Sequence, residues 1–302
     1  MKHTLPITVI MVLIFVASQV IGLYAINLNT TVTHTPEGDV VLEYDDTAIG
    51  ERPDLYGPET FVYILFAILL GTGLIFLLVK FKKIMIWKAM FFFAIWMTCS
   101  ITIGVFIEPM YAFIICFFLA LFKVVKPNIW IHNATELFIY AGIAIIFVPM
   151  LDVLWVVLLL LAISAYDMFA VWKSKHMIGL AEFQTESKAF AGIMLSYKVK
   201  ATEKIKKIKP RSVAKTAKKT VVSKTQYKNA ILGGGDIAFP LIFTGVVMDS
   251  LIRFHDIPKL LAFTEVLIIT LTVAASLFGL MMLAKKDRFY PAMPFLTAGC
   301  LV

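Results

Sequence analysis

Charge is scarce in this sequence. Only 16% of its 302 residues are Asp, Glu, Lys or Arg, against about a quarter in a typical soluble domain, and this excludes a water-soluble globular protein. Cysteine is scarcer still: Cys99, Cys116 and Cys300 lie inside apolar runs without ligand-like spacing, which excludes a disulfide framework and a cysteine zinc site. The five histidines, His3, His34, His132, His176 and His255, form no H-E-x-x-H pair, and no serine occupies a G-x-S-x-G elbow. Zinc-dependent and serine-nucleophile hydrolysis therefore have no residues to carry them. Neither a metal nor any other cofactor is expected.

What the chain does have is apolar length. Hydrophobic residues make up 60% of it, and its mean hydropathy is +0.87. A bilayer-crossing helix needs about 20 mostly apolar residues, and such runs fall near residues 5–28, 60–79, 84–107, 109–125, 130–150, 152–172, 229–252 and 258–284. A ninth begins near Phe289 and meets the end of the sequence at Val302, so it is short or incomplete. The expected fold is an all-α polytopic membrane protein with about nine transmembrane helices. Lys2, His3 and the small residues Ala17 and Ser18 also resemble a signal peptide, but the unbroken apolar stretch to Leu28 predicts a retained helix.

Basic residues sort by position. Residues 173–228 hold 15 Lys and Arg against Glu182, Glu186 and Glu203, so the net charge of +8 is the excess of one loop. That loop divides the chain into a six-span part at 1–172, the basic loop at 173–228 and a three-span part at 229–302. With the N-terminus in the cytoplasm, every Lys and Arg except Arg52, Arg253 and Lys259 lies on the inner side, as the positive-inside rule requires. Anionic lipid is the expected partner of the loop, and no nucleic acid is expected. Within the loop, Met177 to Tyr197 is moderately apolar and suited to the membrane surface or to plugging a site, and Lys198 to Lys228 has the composition of a flexible segment. The acidic outer segment Asn29 to Glu59 reads as a solvated hairpin or lid, because its spacing is not that of a calcium loop.

Acids within apolar spans are expensive and point to function. Glu108 and Asp152 stand at span ends, within reach of water. Asp249 precedes Arg253 by four residues, which suits an ion pair on one helix face. Glu265, beside Thr264, suits a hydrogen bond between helices. Asp167 and Asp236 remain. Asp167 lies six residues, roughly 9 Å, before Lys173, and Asp236 lies eight residues, roughly 12 Å, after Lys228, so the two share nearly one depth below the same surface. Two carboxylates facing each other in a low-dielectric site share a proton. One then acts as base toward a water and the other as acid toward a peptide carbonyl, which is the chemistry of aspartic proteolysis.

Flanking residues favour the same use. Gly233, Gly234 and Gly235 precede Asp236 directly, permit close backbone approach, and weaken a helix by about 1 kcal/mol each. Pro240 cannot donate to the Asp236 carbonyl, which is left free at a kink. Tyr290-Pro291-Ala292-Met293-Pro294 blocks regular helix at the start of the last span, and irregular backbone at this depth is tolerated only where it is buried or lines a wet cavity.

Tyr166-Asp167, Gly233-Gly234-Gly235-Asp236 and Pro291-Ala292-Met293 resemble, in order and in spacing among the spans, the YD, GxGD and PAL motifs of the presenilin and signal peptide peptidase family. The nine-span layout with a long loop after the sixth span is similar too. The resemblance implies an intramembrane aspartyl protease with Asp167 and Asp236 as its catalytic pair, acting on transmembrane protein substrates. It assigns substrate positioning and active-site shape to Pro291, Ala292 and Met293, with Tyr166, Gly233, Gly235, Pro240 and Pro294 in support. Met293 replaces the family's leucine, a change of similar volume. The compact chain looks like a prokaryotic or archaeal relative, with a presenilin-like orientation, and self-cleavage would fall within Ala189 to Tyr197. Two rivals use the same acids: a proton-coupled transporter or channel with a broken helix, and a prepilin-peptidase-like aspartyl protease.

Overall fold

The computed structural model describes residues 4–174, 183–184, 187, 189–200, 225–284 and 290–302. Nine α-helices are placed among these residues: α1 Leu5–Asn29, α2 Pro58–Lys80, α3 Ile84–Gly104, α4 Pro109–Val125, α5 Ile129–Phe147, α6 Val153–Phe169, α7 Gly235–His255, α8 Lys259–Leu283 and α9 Met293–Leu301. Seven of the resulting segments are long and apolar enough to cross a membrane, with α5 extended to Met150 and α6 to Lys173 by short turns. Helix α4, at 17 residues, and α9, at 9, are shorter. The protein is a multi-pass membrane protein.

Helix starts follow local chemistry. Asn128 caps α5 by accepting from the Trp130 N–H at 2.9 Å, and Asp152 caps α6 by accepting from the Trp155 N–H at 3.0 Å. Capping is the reason an acid stands at position 152. Prolines occupy the first turns of α1, α2, α4 and α9, where a missing N–H costs nothing.

Helix α7 is the most enclosed span, packed by α1, α5, α6, α8 and α9. Gly22 of α1 lets Leu241 of α7 press against its backbone, where a Cβ would lie 2.3 Å from a leucine methyl. Beside it the Gln19 Nε2 donates to the Ile237 carbonyl at 2.9 Å.

Two antiparallel hairpins accompany the helices. Strands β1 Thr30–His34 and β2 Val40–Tyr44 form the expected hairpin of the acidic segment. Strands β3 Gly192–Lys200 and β4 Thr225–Gly233 join the two ends of the long loop, pairing Gly192 with Gly233 and Lys200 with Thr225. This corrects the span expected from residue 229. Residues 229–233 are strand, and the helix starts at Gly235, because the short apolar run Ala230-Ile231-Leu232 serves either conformation. Asp236 is therefore in the first turn of α7 and not deep within it. The pairing also places residues 192–200 and 225–228 in a sheet; most of the remaining loop lies outside the described residues, as do Lys285 to Phe289.

Three charged residues also depart from expectation. Lys123 does not face water; it is buried and paired with Glu136 at 2.5 Å. The Asp249 carboxylate is met by the Tyr44 hydroxyl of β2 at 2.5 Å, across 205 residues of sequence, and not by an ion pair to Arg253 among the described residues. Glu265 is half-buried and makes no hydrogen bond to another helix among the described residues.

Candidate active site

Asp167 lies near the end of α6, just before the chain widens into a π-helical turn at Ala170–Ser174. Such turns loosen the regular hydrogen-bond ladder and recur at functional sites. Asp236 begins α7. The antiparallel run of α6 and α7 brings both acids to one end of the bundle. Both are partly exposed.

Backbone segments of the motifs pack against each carboxylate. The Met293 N–H donates to Asp167 Oδ2 at 3.1 Å, and the Ala292 N–H reaches the same carboxylate. These donors belong to the N-terminus of α9, where the first N–H groups have no partner within the helix. Pro291 and Met293 are buried, and Pro294 sits in the first turn of α9. The proline segment is thus the structure that seats Asp167. A Ser164 to Thr297 hydroxyl contact at 2.7 Å holds α6 against α9 one turn further along.

The Asp236 carboxylate lies against the backbone of Gly233, the last residue of β4. A Cβ on Gly233 would lie 3.2 Å from the Asp236 carboxylate, tighter than an ordinary contact. Of the three glycines before Asp236 the most crowded is Gly234, where a Cβ would fall 2.9 Å from the Tyr140 ring and 3.0 Å from its hydroxyl. Sequence reasoning picked Gly233 and Gly235 from the motif spacing. At Gly235 a Cβ would meet only the Phe239 ring at 3.4 Å, so crowding does not require glycine there. Pro240 is buried inside α7, and its carbonyl accepts from Thr244 Oγ1 at 2.7 Å. Tyr166 is not drawn into the group: its hydroxyl contacts Thr72 Oγ1 of α2 at 3.2 Å.

Sequence reasoning missed Gln19, which clasps the first turn of α7, and Glu136, whose only signal was an acid inside an apolar run. Among the described residues no group of three His, Cys, Asp or Glu side chains is placed to hold a metal ion. Two carboxylates on separate helices at one end of a bundle, partly exposed, can activate a water and move its proton.

A family model described as signal-peptide peptidase, presenilin aspartyl protease matches residues 39–302. The fold is similar to that of a solved presenilin family intramembrane aspartate protease in two crystal forms. In the C222 form the TM-score is 0.57 and identity 15%, over 97% of this chain and 95% of the other. In the P2 form the values are 0.54 and 16%, over 96% and 93%. No curated protein matches the sequence significantly.

Proposed function

Because the chain belongs to the signal-peptide peptidase and presenilin aspartyl protease family and is thereby an intramembrane aspartyl protease, we propose that Asp167 and Asp236 are the carboxylates that cut its substrates. The observation that carries this reading is the meeting of two acids from separate helices at one end of the bundle, Asp167 bonded by the Met293 N–H of the proline segment and Asp236 lying against Gly233 of the glycine run. The pair shares one proton. The ionised member takes a proton from a water as that water attacks the scissile carbonyl, and the protonated member donates to the developing oxyanion. The proton taken from water then passes to the leaving amine.

The substrate is a transmembrane segment that must be unwound, since each helical carbonyl is shielded by its own hydrogen bond. Strand β4 runs directly into Gly233 and has no further strand on its other side among the described residues. An extended substrate segment added to that edge would be led toward Asp236, its main chain supplying affinity. Gly233, Gly235, Pro240 and Pro291 to Pro294 shape the site around the acids.

The charge distribution supports an orientation with the N-terminus and residues 173–228 in the cytoplasm and residues 29–59 outside, so that the acids lie nearer the cytoplasmic face. The basic loop then faces anionic lipid head groups. Self-cleavage within Ala189 to Tyr197 is dropped if active purified protein stays full length on a gel.

The test is cleavage of a transmembrane substrate by the purified protein beside its Asp167→Asn and Asp236→Asn variants. Both variants should fold and neither should cleave; cleavage by either removes the assignment. The wild-type rate should also fall on the alkaline side, because a pair that loses its shared proton has no acid left.

A further inference from the structure

Among the described residues, the carboxylate with the most hydrogen bonds is Glu136 of α5. Its carboxylate receives three donors from three elements. Lys123 of α4 donates to Oε1 at 2.5 Å, with both side chains 1% exposed. The Tyr140 hydroxyl, one turn along α5, donates to Oε2. The Gly192 N–H, first residue of β3, donates to Oε2 at 3.0 Å.

Two of those donors touch the turn that carries Asp236. Gly192 pairs with Gly233 in the β3–β4 ladder, and Gly233 is the residue whose backbone lies against Asp236. Gly192 has φ +149°, and a Cβ there would lie 2.3 Å from the Leu232 carbonyl oxygen, so the chain has no freedom to place anything else at that point. The Tyr140 ring lies against Gly234, and the Gly234 N–H continues the contact with β3 by donating to the Ala191 carbonyl at 3.3 Å. Two more α5 side chains hold the same strand: His132 Nε2 donates to the Gly192 carbonyl at 2.8 Å, and Asn133 bonds both the N–H and the carbonyl of Met194.

A buried ion pair is seldom better for stability than a well-packed apolar pair of similar volume. A leucine at position 136, however, would accept neither the Gly192 N–H nor the Tyr140 hydroxyl. We infer that Glu136 is a positioning residue for the reaction: it fixes the glycine turn before Asp236 through Gly192 and Tyr140, and Lys123 is the counter-ion that allows a carboxylate to stand there. This rests on the assignment of Asp236 as a catalytic acid.

The test compares two charge-neutral double variants of the full-length protein, Lys123→Met/Glu136→Leu and Lys123→Met/Glu136→Gln, on one transmembrane substrate. The leucine form removes both acceptors; the glutamine form keeps an acceptor for Gly192 and Tyr140. Misplaced reacting groups lower turnover, so the leucine form should lose at least about tenfold in kcat with KM within about twofold. The glutamine form should recover to within about threefold of wild type. Wild-type kcat in the leucine form overturns the inference, and so does a loss that glutamine fails to recover. If the leucine form does not fold, Tyr140→Phe decides, since it removes one hydroxyl and keeps the ring on Gly234. A fall in kcat of about threefold or more at unchanged KM supports the inference, and an unchanged kcat overturns it. Asp236→Asn, assayed alongside, separates the two levels: if it cleaves, the catalytic assignment has failed, and if it is inactive while the Glu136 variants are unaffected, only the positioning role has.

Discussion

Asp236 and Asp249 stand on the same helix, α7, thirteen residues apart, and their surroundings differ at every point. Asp236 lies in the first turn of the helix, partly exposed, with the Gly233 backbone against its carboxylate and a second acid, Asp167, at the same end of the bundle. Asp249 lies near the other end, 7% exposed, under the β1–β2 hairpin. Tyr44 of that hairpin donates to one oxygen of Asp249, and the other oxygen has no hydrogen-bond partner among the described residues. Around it, Arg52 ties the hairpin down through the Asp45 and Ile145 carbonyls and the Asn29 side chain. The difference teaches that an acid in an apolar helix is not by itself a catalytic signal. A side-chain hydroxyl from a distant strand turns one acid into a latch. A glycine backbone and a second acid leave the other available to water.

The sharpest way to break this comparison is to fill the glycine turn. Gly234→Val puts bulk against the Tyr140 ring and should lower kcat by about a hundredfold or more, because displacement of a reacting group by about 1 Å has that effect. Cleavage assays on folded protein check it, and wild-type rates would show that the turn does not place Asp236. At the other end, Tyr44→Phe should leave kcat unchanged but strand the Asp249 carboxylate, at a cost of about 1–3 kcal/mol read by thermal unfolding.

A subtler effect separates the two ends by pH. Burial, and then the Asp249 charge, holds the Tyr44 phenol well above its usual range. The folded protein therefore keeps a proton that the unfolded chain loses at a pH of about 10. Stability from this group is fully present below that pH and falls as pH rises above it. Thermal unfolding of wild type should show this alkaline fall, and Tyr44→Phe should show less of it. The smallest expected effect is Met293→Leu. It keeps the N–H that bonds Asp167, and a swap of similar volume should change kcat by less than about threefold.

Local sequence made much of the end that carries Asp167 and Asp236 legible. Asp167, the glycine run and the proline segment are contiguous motifs, and residue counts from the basic segments brought both acids to one surface. The element around Asp236 was not legible, since Ala230 to Leu232 fits a strand or a helix equally and only pairing with β3 decides. The four-residue spacing of Asp249 and Arg253 suggested a partner, but the actual one, Tyr44, comes from a hairpin 205 positions away. Glu136 was hidden in the same way: its donors come from α4 and β3 as well as from its own helix. Local spacing thus found groups held by their chain neighbours and missed groups held across the fold.

The most direct measurement is cleavage of a reconstituted transmembrane substrate by Asp236→Asn and Asp249→Asn, each first shown to be folded. The account predicts no cleavage by Asp236→Asn and retained cleavage by Asp249→Asn. Cleavage by Asp236→Asn, or its loss in folded Asp249→Asn, would contradict it.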